Sequence, residues 1–174
     1  MRAMIKILPA LLICLVVATG TAEAQNNAAA PSDAQKMFDQ MKSMAGSWQG
    51  SILNIPINVT IRLASSGTAI LHEATTDGGR PPNHEITMFY VEGDRLLATH
   101  FCDGDNRARF AGKMSADGKT SEFNFLDVTG STKGGLVKRM AFTMIDANKQ
   151  VVEFTFIRPD GKSMELRGEF ARTN

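Results

Sequence analysis

Hydrophobic and polar positions change their period once along this chain. Between Pro31 and Met44 the apolar residues Met37, Phe38, Met41 and Met44 recur at spacings of three and four, which places them on one face of an α-helix. Pro31 and Ser32 suit the start of that helix. From Ser47 onward the period is two. Ile57, Val59, Ile61 and Leu63 alternate with Asn58, Thr60, Arg62 and Ala64, the pattern of a strand with one buried face. Similar runs follow at 68–76, 85–91, 95–102, 107–114, 120–128, 137–145, 150–158 and 163–172. With 47–53 they predict about ten strands at the regular spacing of a meander. Between them stand turn sequences such as Ser66-Gly67, Gly93-Asp94, Asp117-Gly118 and Asp160-Gly161, the composition of hairpin loops.

No helical pattern separates the strands, so a parallel βαβ fold is disfavoured. Ten short antiparallel strands must close or stack to protect their edges. Hairpin-short connections favour closure, and the expected fold is all-β: an antiparallel up-and-down β-barrel with one short N-terminal helix. A Greek-key sandwich would need longer crossings, and only 77–84 and 129–136 have that length. Both are rich in Gly, Pro or Thr and can form a rim over an opening.

Gly46-Ser47-Trp48-Gln49-Gly50 resembles the G-x-W that opens the first strand of the calycin barrels, which include lipocalins, fatty-acid-binding proteins and nitrobindins. The resemblance implies that Trp48 closes the barrel floor, beneath an Arg from the last strand. Arg167 and Arg172 both lie in that strand, and either can take the part. The stretch 96–110, LLATHFCDGDNRARF, also resembles exported bacterial proteins of a domain-of-unknown-function family, which brings no activity with it. Nitrobindin-type barrels bind haem through a His of their C-terminal part. Residues 101–174 here contain no His; the three are His72, His84 and His100. A haem cofactor would therefore have to use His72 or His100, and the expectation is a protein without a cofactor.

The first residues change the picture of compartment. Arg2 and Lys6 precede the apolar stretch 7–18, and Ala22-Glu23-Ala24 supplies small residues for cleavage. Residues 1–24 read as a secretory signal peptide, 25–46 as a spacer and the short helix, and 47–174 as the barrel domain. The expected location is periplasmic or secreted, with no stable membrane span after cleavage. Cleavage removes Cys14, which leaves Cys102 as the one thiol and no internal disulfide. A formal charge of +1, zero once Arg2, Lys6 and Glu23 are gone, provides no footprint for nucleic acid. Oligomeric state is not legible.

A barrel of this size can enclose a small apolar ligand. The residues expected to face the lumen are Trp48, Ile57, Val59, Ile61, Tyr90, His100, Cys102, Phe142, Phe154 and Phe156, with Arg109 and Arg167 at the rim or floor. Taken singly, each of the apolar ones is better explained by core packing; as a group, in a barrel, they point to a cavity. His100 and Cys102 are two apart on one strand and share a face, the raw material for a thiolate nucleophile or two metal ligands. Leu96 and Ala98 share that face and favour a packed interior with an inert thiol. No G-x-S-x-G, H-E-x-x-H, C-x-x-C or Walker A sequence is present, so neither a catalytic residue nor a metal site is assigned. Asp103-Gly104-Asp105-Asn106 lacks the carboxylate that a calcium loop needs at its twelfth position. Three functions follow: an exported barrel that carries or sequesters a hydrophobic molecule, a haem-binding or His/Cys-dependent enzyme, or a filled structural barrel of the cell envelope.

Overall fold

A computed structural model describes residues 30–76 and 83–173. The expected signal segment, with Cys14, most of the spacer and part of the 77–84 connection lie outside the described residues.

The helix α1 (Asp33–Lys42) starts where Ser32 Oγ accepts the Gln35 N–H at 3.1 Å, satisfying a backbone donor that the first turn leaves unpaired. Asp33 in the first turn and Lys42 in the last complement the helix dipole. Met37, Phe38 and Met41 are buried. Ten strands follow: β1 (Gly46–Ile52), β2 (Ile55–Ala64), β3 (Ala69–Thr76), β4 (His84–Glu92), β5 (Arg95–Cys102), β6 (Asn106–Met114), β7 (Thr120–Gly130), β8 (Leu136–Asp146), β9 (Lys149–Ile157) and β10 (Ser163–Thr173). Each pairs with its neighbour in sequence, and β1 pairs antiparallel with β10 to close the barrel. The expected fold class is thus the observed one.

Closure gives every strand an inner and an outer face. The inner face carries Trp48, Val59, Ile61, Phe89, Leu96, Ala98, Phe110, Phe123, Met140 and Phe142, all buried in one core. The outer face carries cross-strand ion pairs, among them Arg62 with Glu73 and Arg139 with Glu122, the polarity of a wall that faces water. α1 packs on the ends of β4, β5 and β6 and covers one mouth of the barrel. At the other mouth β7 and β8 part. Their ladder runs only from Thr120–Thr143 to Asn124–Arg139. Asn106 Nδ2 then ties the connection between them down, donating to Ser131 O at 3.2 Å and Gly135 O at 3.1 Å.

Three residues stand elsewhere than expected. Tyr90 points outward: in β4 the buried positions are Thr87 and Phe89, and the Tyr90 hydroxyl lies 3.5 Å from Thr99 Oγ1 on β5. This strand is apolar on both faces, so its alternation carried no direction. Arg109 is on the outer wall rather than the rim, paired with Asp127 on β7. Arg167 is also outside, paired with Glu169 at 2.9 Å, and it is Arg172 that reaches the floor.

Candidate functional site in the open half of the barrel

The helix-covered end is sealed from its residues upward. Arg172 lies 4.3 Å over the Trp48 ring, a cation on an aromatic face. Its Nη1 donates to Ala45 O at 2.6 Å, Nη2 to Ser43 O at 3.0 Å and Nε to Ala147 O at 2.9 Å. Two of those carbonyls follow α1, where a cation also complements the helix dipole. Trp48 Nε1 donates to Met44 O at 2.9 Å. Gly46 has φ +137°, and a Cβ there would stand 2.5 Å from Arg172 Nη1. The G-x-W sequence therefore has a mechanical reason: glycine admits the guanidinium, and the indole two residues on receives it.

Above this floor the lumen is filled. Phe89, Phe123 and Phe142 meet with ring centroids 4.9–6.1 Å apart in tilted and edge-to-face contacts. These are the arrangements aromatic rings prefer. His72 packs edge-on to Phe142 at 5.6 Å and marks the boundary of the filled half.

Beyond that boundary is a cavity of about 270 Å³. Ile57, Val59, Phe154 and Phe156 line it, together with Met164 and Leu166. Of the expected lumen residues, Trp48, Ile61 and Phe142 belong instead to the buried core. Leu53 and Ile55, on the β1–β2 hairpin, line the cavity and stay exposed, so the apolar lining continues onto the lip.

One wall is polar. His72 on β3, Thr87 on β4 and His100 on β5 are register partners in one row across three strands, and all three are buried. One step nearer the mouth, Glu85 and Cys102 form the next row. His100 Nδ1 is 2.9 Å from Thr87 Oγ1, and its Nε2 is 3.7 Å from Glu85 Oε2. Cys102 Sγ donates to Glu85 Oε1 at 3.6 Å and accepts the Gly104 N–H at 3.5 Å. Asn83 Nδ2 also donates to Glu85 Oε1, at 3.2 Å. His72 Nε2 and His100 Nε2 are buried without a hydrogen-bond partner.

Burial sets the electrostatics of this wall. It lowers the His72 pKa to about 4, helped by the neighbouring His100. It also lowers that of His100, against the opposing pull of the Glu85 carboxylate. The Cys102 thiol is pushed up to about 11, first by burial and then by Glu85, so it is protonated at neutral pH. Among the described contacts no hydrogen bond joins His100 to Cys102. The pair is not set as a nucleophile and its base.

Glu85 is the site residue that periodicity did not single out. It lies at the start of β4, with a side chain 28% exposed. A strand that is apolar on both faces gave no reason to turn a carboxylate inward.

No family model matches this chain, and no curated protein matches it. Among solved structures it is similar to Rv2717c from M. tuberculosis, with 12% identity and a TM-score of 0.63, over 79% of this chain and 98% of that one. It is also aligned with a protein of unknown function of the DUF3598 family from Nostoc punctiforme PCC 73102. That match has 12% identity and a TM-score of 0.38, over 77% of this chain and 49% of the other. At these identities the likeness to Rv2717c is one of fold.

Haem suits the cavity in one respect only. His72 offers a partnerless imidazole nitrogen at the cavity wall. The space of about 270 Å³ is small for an iron porphyrin, which is a large ligand. The residues supply an imidazole without the volume, and no chemistry through haem follows.

Proposed function

We propose that the chain is an exported carrier or sequestering protein of calycin type, whose barrel holds a small apolar molecule with one polar end. The observation that carries this reading is the cavity in the open half, with its apolar lining, its exposed apolar lip and its single polar wall. Transfer of an apolar group from water into such a lining is favourable by roughly 25 cal/mol per Å². His72 Nε2, buried and without a partner, is the group a ligand's hydroxyl or carbonyl would satisfy, and an unmet buried donor or acceptor calls for such an explanation. The stacked Trp48–Arg172 floor supports the calycin reading.

The test is mass spectrometry of the exported protein, purified without detergent, in the native state and after solvent extraction. One small apolar molecule per chain is expected. Ile57→Trp, which fills the cavity, should lose that molecule while keeping the strand signature in circular dichroism. An empty parent protein that also fails to take up a fluorescent apolar probe would overturn the reading in favour of a filled structural barrel. A Soret shift with haemin that disappears in His72→Ala would overturn it in favour of haem.

A further inference from the structure

We infer that Glu85, His100 and Cys102 form a binding site for one divalent transition-metal ion of the zinc class, set in the polar wall of the open half. The inference does not depend on the carrier reading above. One ligand atom from each residue can be chosen so that all three lie within 4.8 Å of one another. Tetrahedral zinc, with bonds of about 2.0–2.3 Å, holds its ligand atoms roughly 3.3–3.6 Å apart. The contacts of 3.6 Å from Cys102 Sγ to Glu85 Oε1 and 3.7 Å from His100 Nε2 to Glu85 Oε2 are close to those edges but use different carboxylate oxygens, and separations of up to 4.8 Å within the set close by side-chain movement of about an ångström.

The second observation is the state of His100. Its ring is buried, its Nδ1 is held by Thr87 Oγ1 at 2.9 Å, and its Nε2 has no hydrogen-bond partner although it faces Glu85. When Nδ1–H donates to Thr87, Nε2 carries the lone pair toward Glu85 and Cys102. A ligating His is oriented in this way, by a hydrogen bond from its other nitrogen. A buried nitrogen left unmet is costly, and a bound ion removes that cost.

The donor chemistry selects the ion. Thiolate, imidazole and one carboxylate suit zinc and its neighbours, whereas calcium and magnesium take oxygen ligands. On binding, the Cys102 Sγ–H bond breaks and its proton passes to solvent, the Sγ–metal bond forms, and the ion gives up bound water. Three protein donors leave a fourth position for water or for a donor atom of an exogenous molecule. Glu85 lines the cavity and His100 and Cys102 do not, so the carboxylate is the ligand that joins the ion to the cavity.

Cobalt(II) is the probe, because it replaces zinc and is coloured. The full protein with Cys14→Ser, in which Cys102 is the one remaining thiol, is stripped with chelator and titrated. Saturation at one cobalt per chain is expected, with tetrahedral visible bands, a thiolate charge-transfer band in the near ultraviolet, and loss of both on adding zinc. Cys102→Ser should abolish the charge-transfer band, and Glu85→Gln should weaken binding roughly 10-fold or more. Thr87→Val, which acts through His100, should weaken it by about 10- to 100-fold. Circular dichroism and melting of each metal-free variant confirm the barrel. Glu85 and Cys102 are only partly buried, so their variants test the site with less disturbance of the fold than a change at buried His100. No charge-transfer band in the folded parent, or a band that survives Cys102→Ser, overturns the site. A band with an empty lumen would leave the metal site and remove the carrier; a bound apolar molecule without a band would do the reverse.

Discussion

The two halves of this barrel are built from the same alternation of inward and outward residues, yet one is solid and the other hollow. In the helix-covered half, Trp48, Phe89, Phe123 and Phe142 are buried, and Arg172 meets three carbonyls around Trp48. In the open half, Phe154 and Phe156 are only partly buried, and the inward row from His72 to His100 is polar. The difference separates stability from function. A filled end holds the fold, although the Gln150 amide opposite Phe170 is buried there without a hydrogen-bond partner. An end with room and with unmet nitrogens can bind, because another molecule can still supply what the chain has left out.

That division is open to direct attack. Trp48→Ala removes a fully buried indole and leaves a cavity beneath the guanidinium of Arg172, so it should cost about 3–5 kcal/mol in denaturant unfolding. Phe154→Ala removes a side chain that already borders empty space, and should cost less than half as much while enlarging the cavity. Equal costs would mean that both halves are core, and the functional contrast would be lost.

Acid is the next lever. His72 has an ordinary pKa of 6.5 when unfolded and about 4 in the fold, because burial disfavours its charged form. The unfolded chain therefore binds a proton first as pH falls. Stability contributed by neutral His72 is complete above pH 6.5, declines between about 6.5 and 4, and has no further to fall below that. The difference corresponds to about 3 kcal/mol. His100 is shifted in the same direction and adds to the decline. Chelator-treated protein should lose denaturant stability across this window, and His72→Gln should flatten much of the curve. A flat parent curve would show that water already reaches the His72 ring, and that the polar wall is not dry.

Much of this arrangement was legible in the chain, for reasons that differ by element. Ile57, Val59 and Ile61 alternate with polar residues, so their inward face could be read directly, and the hairpin-length turns dictated the up-and-down order. The polar wall was half legible. Counting back from the two-residue turn Gly93-Asp94 pairs Thr87 with His100, as the register shows, and brings Glu85 beside Cys102, where their side chains meet at 3.6 Å. What alternation did not supply was the direction of β4, where Ile86, Met88 and Tyr90 are as apolar as Phe89 and Val91. That one ambiguity placed Tyr90 in the lumen and hid Glu85. The neighbouring row from His72 to Thr87 depends on the connection between β3 and β4, which has no short-turn rule to fix its register.

The arginines of β10 carry the same contrast on the smallest scale, because they differ only in where five residues of strand place them. Arg172 and Arg167 lie on one strand and both have polar partners. Arg172 stacks on Trp48 and donates to backbone carbonyls that have no other listener among the described contacts. Arg172→Met keeps a long apolar stem over the indole but abandons those carbonyls, and should cost about 2 kcal/mol. Arg167 meets Glu169 on the outer wall with its side chain 55% exposed, where solvent screens the pair and chain entropy opposes it. Arg167→Ala should shift the unfolding midpoint by no more than the scatter between preparations, and leave uptake of an apolar probe unchanged. A loss at Arg167 comparable to that at Arg172 would mean the outer wall carries weight that its exposure denies it, and the floor would then be one support among several rather than the seal of the filled half.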